Sequence, residues 1–224
     1  MREIVLDTET TGLDPLSGDR VVEIGCVELL NHVPTGQMRQ YYINPDRDMP
    51  EEAFKVHGLS SEFLAGQPRF ADIVEDFLSF VREDRLVIHN AEFDVRFLNA
   101  ELARLGHSPI PMSRAVDTVA MARRRFPGAQ ASLDALCRRF DIDLSARSLH
   151  GALLDCQLLA AVYLELRGGR QPGLTLDSQA AAGTSRVVGV TRRYREPRPH
   201  APSEAETAAH ERMLDSLKEP LWRQ

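Results

Sequence analysis

The chain has 224 residues, 43% hydrophobic and 27% charged, with 14 Gly, 13 Pro and 3 Cys, a composition that excludes a collagen-like or wholly disordered polymer. No run approaches the ~18 apolar residues a membrane-crossing helix needs, the acidic start does not fit a signal peptide, and three scattered cysteines without a CxxC spacing argue against a disulfide framework and for a reducing cytoplasm. The formal net charge of −6 is uneven, −8 over residues 1–167 and +2 over 168–224, which speaks against gripping long duplex DNA by phosphate neutralisation but leaves nucleic acid open as a substrate where bound cations supply positive charge.

Residues 3–8 read as a short buried strand that ends in polar residues. After the turn-forming stretch Thr11–Asp19, Val21 to Leu30 reads as a second strand and Gln40 to Ile43 as a third, stopped by Asn44-Pro45. Short connections between them predict antiparallel neighbours. The period then changes: Phe70, Ile73, Val74, Phe77, Leu78 and Val81 form one helical stripe. Residues 85–89 give another strand, followed by a helix with Phe93, Phe97, Leu98, Leu102 and Leu105 inward, ended by Gly106. Val116-Asp117 leads into a helix ending near Phe126, Ser132 is an N-cap for Leu133 to Phe140, and a last strong helix runs from about Leu149 to Leu166. Strands first, then strand–helix alternation, predict an α/β fold around one mixed sheet.

The composition shifts after Gly169. Residues 169–203 read as a flexible linker, and Ser203 with Glu206 as a capping box opening a helix to about Leu217. The predicted organisation is therefore a domain over 1–168, a linker over 169–203 and a tail module over 204–224, in which the only Trp of the chain, Trp222, lies near the end.

Five residues carry candidate chemistry. Asp7 and Glu9, at i and i+2 on the first strand, project from one face, about 6.5–7 Å apart along the chain. They invite a divalent cation between them, or they merely end a strand at solvent. Asp94 falls in the first turn of a helix after a strand, where α/β folds gather ligands and where an acidic side chain also suits the helix dipole. His150 and Asp155 are five residues apart, which on a helix leaves them about 140° from one another, so they read as two roles: a carboxylate fixed on the helix, and a proton-exchanging His on the loop or first turn before it. The alternative for His150 is a surface residue at a helix start.

Taken together, Asp-x-Glu, then Phe93-Asp94, then His150-x4-Asp155 resembles the DEDDh group of 3′→5′ exonucleases. The strings DTETTG (7–12), HNAEFD (89–94), SLDALC (132–137) and HGALLD (150–155) are most similar to its epsilon (DnaQ) branch, the proofreading subunits of bacterial DNA polymerase III. The resemblance implies an RNase H-like fold, four acidic metal ligands at Asp7, Glu9, Asp94 and Asp155, and a general base at His150. Two divalent cations, Mg²⁺ or Mn²⁺, would clamp the scissile phosphate about 3.5–4 Å apart, and the rate would fall as pH drops through about 6.5, an ordinary His value. It further implies that Glu52 and His57 contact the terminal nucleotide, along with Asp7, Glu9 and Asp155, while backbone around Thr10, Thr11 and Gly12 cradles it. The sequence by itself offers His57 only as a loop histidine.

The implied partners are a single-stranded or frayed DNA 3′ end, the polymerase III alpha subunit, the beta sliding clamp and a further small core subunit, at the replisome in the cytoplasm and with no membrane. Gln171, Leu174 and Leu176 resemble a clamp-binding motif, and Leu221-Trp222 the element that docks on alpha. Competing expectations are an RNA-trimming exonuclease of the same superfamily and a non-catalytic adaptor between clamp and polymerase.

Overall fold

A computed structural model describes residues 1–145, 147, 149–169 and 201–217. The chain divides into two units, Met1–Leu174 and Thr175–Gln224.

The first unit is built on strands β1 (Arg2–Thr10), β2 (Val21–Leu30), β3 (Val33–Tyr42), β4 (Arg85–Ile88) and β5 (Ala115–Asp117). They form one sheet in the order β3-β2-β1-β4-β5. β1–β2 and β2–β3 are antiparallel, whereas β1–β4 and β4–β5 are parallel. The helices are α1 (Glu51–His57), α2 (Ser61–Ala65), α3 (Phe70–Val81), α4 (Ala91–Arg104), α5 (Thr118–Arg125), α6 (Leu133–Arg139) and α7 (Ala152–Leu166). This is the expected α/β architecture of a mixed sheet flanked by helices.

β1 is apolar without interruption from Ile4 to Leu6 because both faces of the sheet are covered. Ile4 and Leu6 join the core of α3 and α4 with Phe77 and Phe97, while Val5 joins the core of α7 with Leu159 and Tyr163. This alternation decides where the polar end of β1 points. Asp7 and Glu9 share the α7 side with Val5, and Thr8 shares the α4 side with Leu6.

The third strand is longer than predicted. β3 lies at the sheet edge and is mostly exposed, so it shows no period-2 hydrophobic signal. It joins β2 through Asn31 and His32, both left-handed (φ 51 and 70), the backbone a tight hairpin turn demands. The last strong helix starts at Ala152 rather than Leu149, since Gly151 is extended. The N–H groups of Ala152 and Leu153 at its start face the Glu23 carboxylate on β2 and offset the rise that burial gives its pKa. Next to Glu23's partner strand position the helix also sits directly on Gly25, where a Cβ would come within 2.4 Å of the Ala152 backbone carbonyl.

In the second unit, the described residues form α8 (Glu204–Ser216). Its predicted capping box is present: Glu206 N–H donates to Ser203 Oγ at 3.3 Å, and Ser203 N–H to Glu206 Oε2 at 2.8 Å. Most of the expected linker, with Gln171, Leu174 and Leu176, lies outside the described residues, as do Leu221 and Trp222. Among the described residues no helix is long and apolar enough to cross a membrane.

Candidate active site

The C-terminal end of β1 meets the first turns of two helices from opposite sides. Asp94, in the first turn of α4, is buried, and its Oδ1 accepts from the Thr8 N–H at 2.9 Å and the Thr8 hydroxyl at 2.7 Å. Thr8 thus pins Asp94 against the strand between the two cleft-facing carboxylates. Asp155 comes from the first turn of α7. His150 stands just before that helix, its backbone N–H donating to the Val56 carbonyl at 3.1 Å. Because His150 is not on the helix, the 140° separation never applies, and its Nδ1 lies 3.4 Å from Asp155 Oδ2. Asp7, Glu9, Asp94, His150 and Asp155 line one cavity of about 840 Å³.

The carboxylates oppose one another's ionisation. Burial holds Asp7 well above the usual carboxylate range, reinforced by the charges of Asp94, Glu9, Asp155 and Glu23. Burial, then Glu23 and Asp155, push Glu9 up to about 8. Asp94 is raised by burial against the opposing pull of the Thr8 hydrogen bonds. Asp155 behaves differently: burial alone would raise it, but the Arg147 guanidinium, hydrogen-bonded to both its oxygens, brings it below its ordinary value. The ligand atoms of Glu9, His150 and Asp155 lie within 4.8 Å of one another. Hard oxygen donors that suppress each other's charge are what a divalent cation relieves, so these residues fit such an ion.

Beside this cleft is a second cavity of about 320 Å³, lined by Thr10, Thr11, Gly12, Glu52 and His57 with Phe93. Its floor is a tight loop: the Thr10 hydroxyl donates to the Gly12 carbonyl at 2.6 Å and Thr11 Oγ1 to Asp19 Oδ1 at 3.3 Å. A Cβ at Gly12 would meet the Asp19 carboxylate at 2.3 Å. His57 is not a loop residue; it ends α1 and is buried. α1 is too short to show a helical stripe in sequence. Nδ1 of His57 accepts from the Leu59 N–H at 3.1 Å, which leaves Nε2 as a buried donor with no hydrogen-bond partner among the described residues. Burial, which disfavours the charged imidazolium, lowers its pKa.

Three contributors have no sequence signal of their own. Thr8 is hidden inside the Asp-Thr-Glu triplet. Glu23 faces Glu9 only once the β1–β2 register is known. Arg147 lies just before the His150–Asp155 motif but belongs to no motif itself, yet its guanidinium bonds Asp155 through Nε at 2.6 Å and Nη2 at 2.7 Å, and Asp134 through Nη1 at 2.6 Å.

Comparison with known proteins places these features in context. A family described as exonuclease matches residues 4–163. The DNA polymerase III subunit epsilon of Rickettsia felis is 56% identical over 174 residues, 76% of each chain. That of Escherichia coli K12 is 41% identical over 237 residues, covering 99% of this chain and 97% of the other. Among solved structures, exonuclease X in complex with 5′ overhanging duplex DNA superposes with a TM-score of 0.59 at 26% identity, over 74% of this chain and 90% of that one. The nuclease domain of 3'hExo, a DEDDh family member bound to rAMP, shares the fold with a TM-score of 0.64 at 17% identity, over 75% and 92% of the two chains.

Proposed function

Since this chain belongs to the exonuclease family, and within it to the epsilon subunits of DNA polymerase III, we propose that Asp7, Glu9, Asp94, Asp155 and His150 form its catalytic centre. The protein is a 3′→5′ exonuclease that proofreads DNA synthesis. The observation that carries the site assignment is the convergence of four carboxylates and one imidazole, from β1, α4, α7 and the segment before α7, on one cleft.

The four carboxylates would hold divalent cations, and we favour two, either Mg²⁺ or Mn²⁺. When bound, they supply the positive charge that lets a phosphodiester enter an acidic cleft and that steadies charge on the leaving 3′-oxygen. The chain's own groups do the rest. Thr8 fixes the Asp94 carboxylate by two donors, so it need not reorganise during reaction. Glu23 and Gly25 fix α7 and hence Asp155. His150, half exposed at the mouth, takes a proton from the attacking water and passes it to solvent. In the second cavity, Glu52, the loop of Thr10, Thr11 and Gly12, and the unpaired His57 Nε2–H would receive the terminal nucleotide and exclude water behind it. A buried donor without a partner costs stability until a ligand supplies an acceptor.

A mismatched end frays more readily than a paired one. One stacking step is worth about 1.4 kcal/mol, roughly tenfold in the open population, so much of the preference for errors arises in the DNA. The relatives' name implies partnership with the polymerase at the bacterial replisome, in the cytoplasm. We assign Leu221-Trp222 to docking on the alpha subunit and Gln171, Leu174 and Leu176 to the beta clamp; a further small core subunit would complete the assembly. Deleting 204–224 should spare activity on free oligonucleotides and abolish polymerase binding.

The function is tested with a 5′-labelled single-stranded deoxyoligonucleotide. Stepwise shortening from the 3′ end with Mn²⁺ or Mg²⁺, halted by chelator and by Asp7→Ala, is the expected result. Chelator-resistant shortening would reject the site assignment. Activity confined to ribose-containing strands would favour an RNA-trimming enzyme, and a chain that releases no nucleotide but binds polymerase would be an adaptor.

A further inference from the structure

Arg147 occupies the cleft in a way the reaction does not explain. Its side chain is only 10% exposed. Nε and Nη2 grip the two oxygens of Asp155 as a fork, at 2.6 and 2.7 Å, while Nη1 is anchored on Asp134 Oδ1 at 2.6 Å. Nη2 also lies 2.9 Å from His150 Nδ1. A guanidinium has donors and no acceptor and keeps its charge at any relevant pH. Arg147 is therefore the donor in that contact, and Nδ1 contributes its lone pair.

The neutral imidazole then carries its proton on Nε2. With Nδ1 accepting from Arg147 and Nε2 already protonated, neither ring nitrogen is free to take a proton from water. The same guanidinium bonds both oxygens of Asp155 and sets its positive charge against them, at the carboxylate that with Glu9 and His150 brings ligand atoms within 4.8 Å. One side chain thus blocks a metal ligand and the general base at once.

We infer that Arg147 is a positioning residue, a permanent cation that stands at Asp155 and His150 and releases both when a divalent cation enters. Asp134 is its second anchor. Because Asp134 lines the cleft but is not one of the four proposed metal ligands, the arginine can let go of Asp155 and stay on the cleft wall. Release of Nη2 from His150 frees Nδ1, so the base becomes competent in the same event that admits the metal. This reading rests on Asp155 being a metal ligand, as proposed above.

The test uses the full chain and two readouts. In the ¹⁵N-labelled protein without metal, His150 should show an unprotonated Nδ1 and a protonated Nε2. Titrating diamagnetic Mg²⁺ should shift the Arg147 Nε–H signal and the His150 ring nitrogens together, with one concentration dependence. Free Mn²⁺ followed by electron paramagnetic resonance gives the affinity. Arg147→Gln, which removes the competing charge, should bind Mn²⁺ about tenfold more tightly than wild type, and Arg147→Lys, which keeps the charge without the fork, should fall between them. An Arg147 signal that stays put while Mg²⁺ shifts the neighbours of Asp7 overturns the inference and leaves the metal site intact. Unchanged or weaker Mn²⁺ binding by a folded Arg147→Gln does the same. Mn²⁺ binding that is absent from wild type and Arg147→Gln alike, or unaltered by Asp7→Asn, overturns the metal-site reading and the inference with it. The nitrogen measurement on wild type stands even if a variant does not fold.

Discussion

Glu9→Gln should make the metal-free protein more stable and the enzyme inactive, with a pH signature fixed by the structure. Glu9 is 8% exposed, and burial together with Glu23 and Asp155 moves it from 4.5 to about 8. A carboxylate whose folded pKa is raised holds its proton in the native state where the unfolded chain has lost it, so stability declines as pH rises between those two values. At 1.36 kcal/mol per pH unit the ceiling is about 5 kcal/mol. Asp94, whose charge also opposes that of Glu9, is itself raised, so the titrations overlap and the measured gain should be nearer about 2–3 kcal/mol. The assay is thermal unfolding of both proteins in chelator from pH 5 to pH 9. Near pH 5, just above the unfolded value of 4.5, the gap should be small, under about 1 kcal/mol. Near pH 9 the variant should unfold about 5–10 °C higher, using 2–4 °C per kcal/mol for a chain of this size. Added Mn²⁺ should then raise wild type more than the variant. A gap that is the same at pH 5 and pH 9, or a variant less stable at pH 9, would refute the charge-cluster argument.

Other predictions follow from single contacts. His150→Ala should lose 10²–10⁴ in kcat, the usual weight of a general base, while retaining Mn²⁺ binding measured by calorimetry. Thr8→Val removes the 2.7 Å hydroxyl donor to Asp94 but keeps the 2.9 Å backbone one; about 1 kcal/mol of stability and a fall in kcat are expected, read by urea unfolding and steady-state rates, and an unchanged rate would remove Thr8 from the positioning of Asp94. Gly25→Ala places a methyl group 2.4 Å from the Ala152 carbonyl, which should cost about 3 kcal/mol or more and displace Asp155, so that unfolding temperature and turnover fall together.

The legibility of this chain varies with how local each signal is. The buried run of β1, the stripe of α3 and the Ser132 cap of α6 are local patterns, and each sits where the sequence puts it. Only the end of β3 is legible, because an exposed edge strand has no buried face to impose a period. α1 and α2, at seven and five residues, are shorter than the window in which helical periodicity emerges, and this hid the burial of His57. At the site, the shared face of Asp7 and Glu9 follows from strand alternation alone. Asp94 is legible as a first-turn acid and Asp155 as a carboxylate fixed on a helix, but neither is legible as a neighbour of β1, since that depends on both helices packing from opposite faces. Glu23 and Arg147 were invisible because their roles exist only through register and through a bond that spans α6, the loop and α7.

The most direct measurement is anomalous diffraction at the manganese edge from crystals of the full chain soaked in Mn²⁺. The account predicts two peaks among Asp7, Glu9, Asp94 and Asp155, both absent from Asp7→Ala crystals. Well-ordered carboxylates with no peak between them at saturating Mn²⁺ would contradict it.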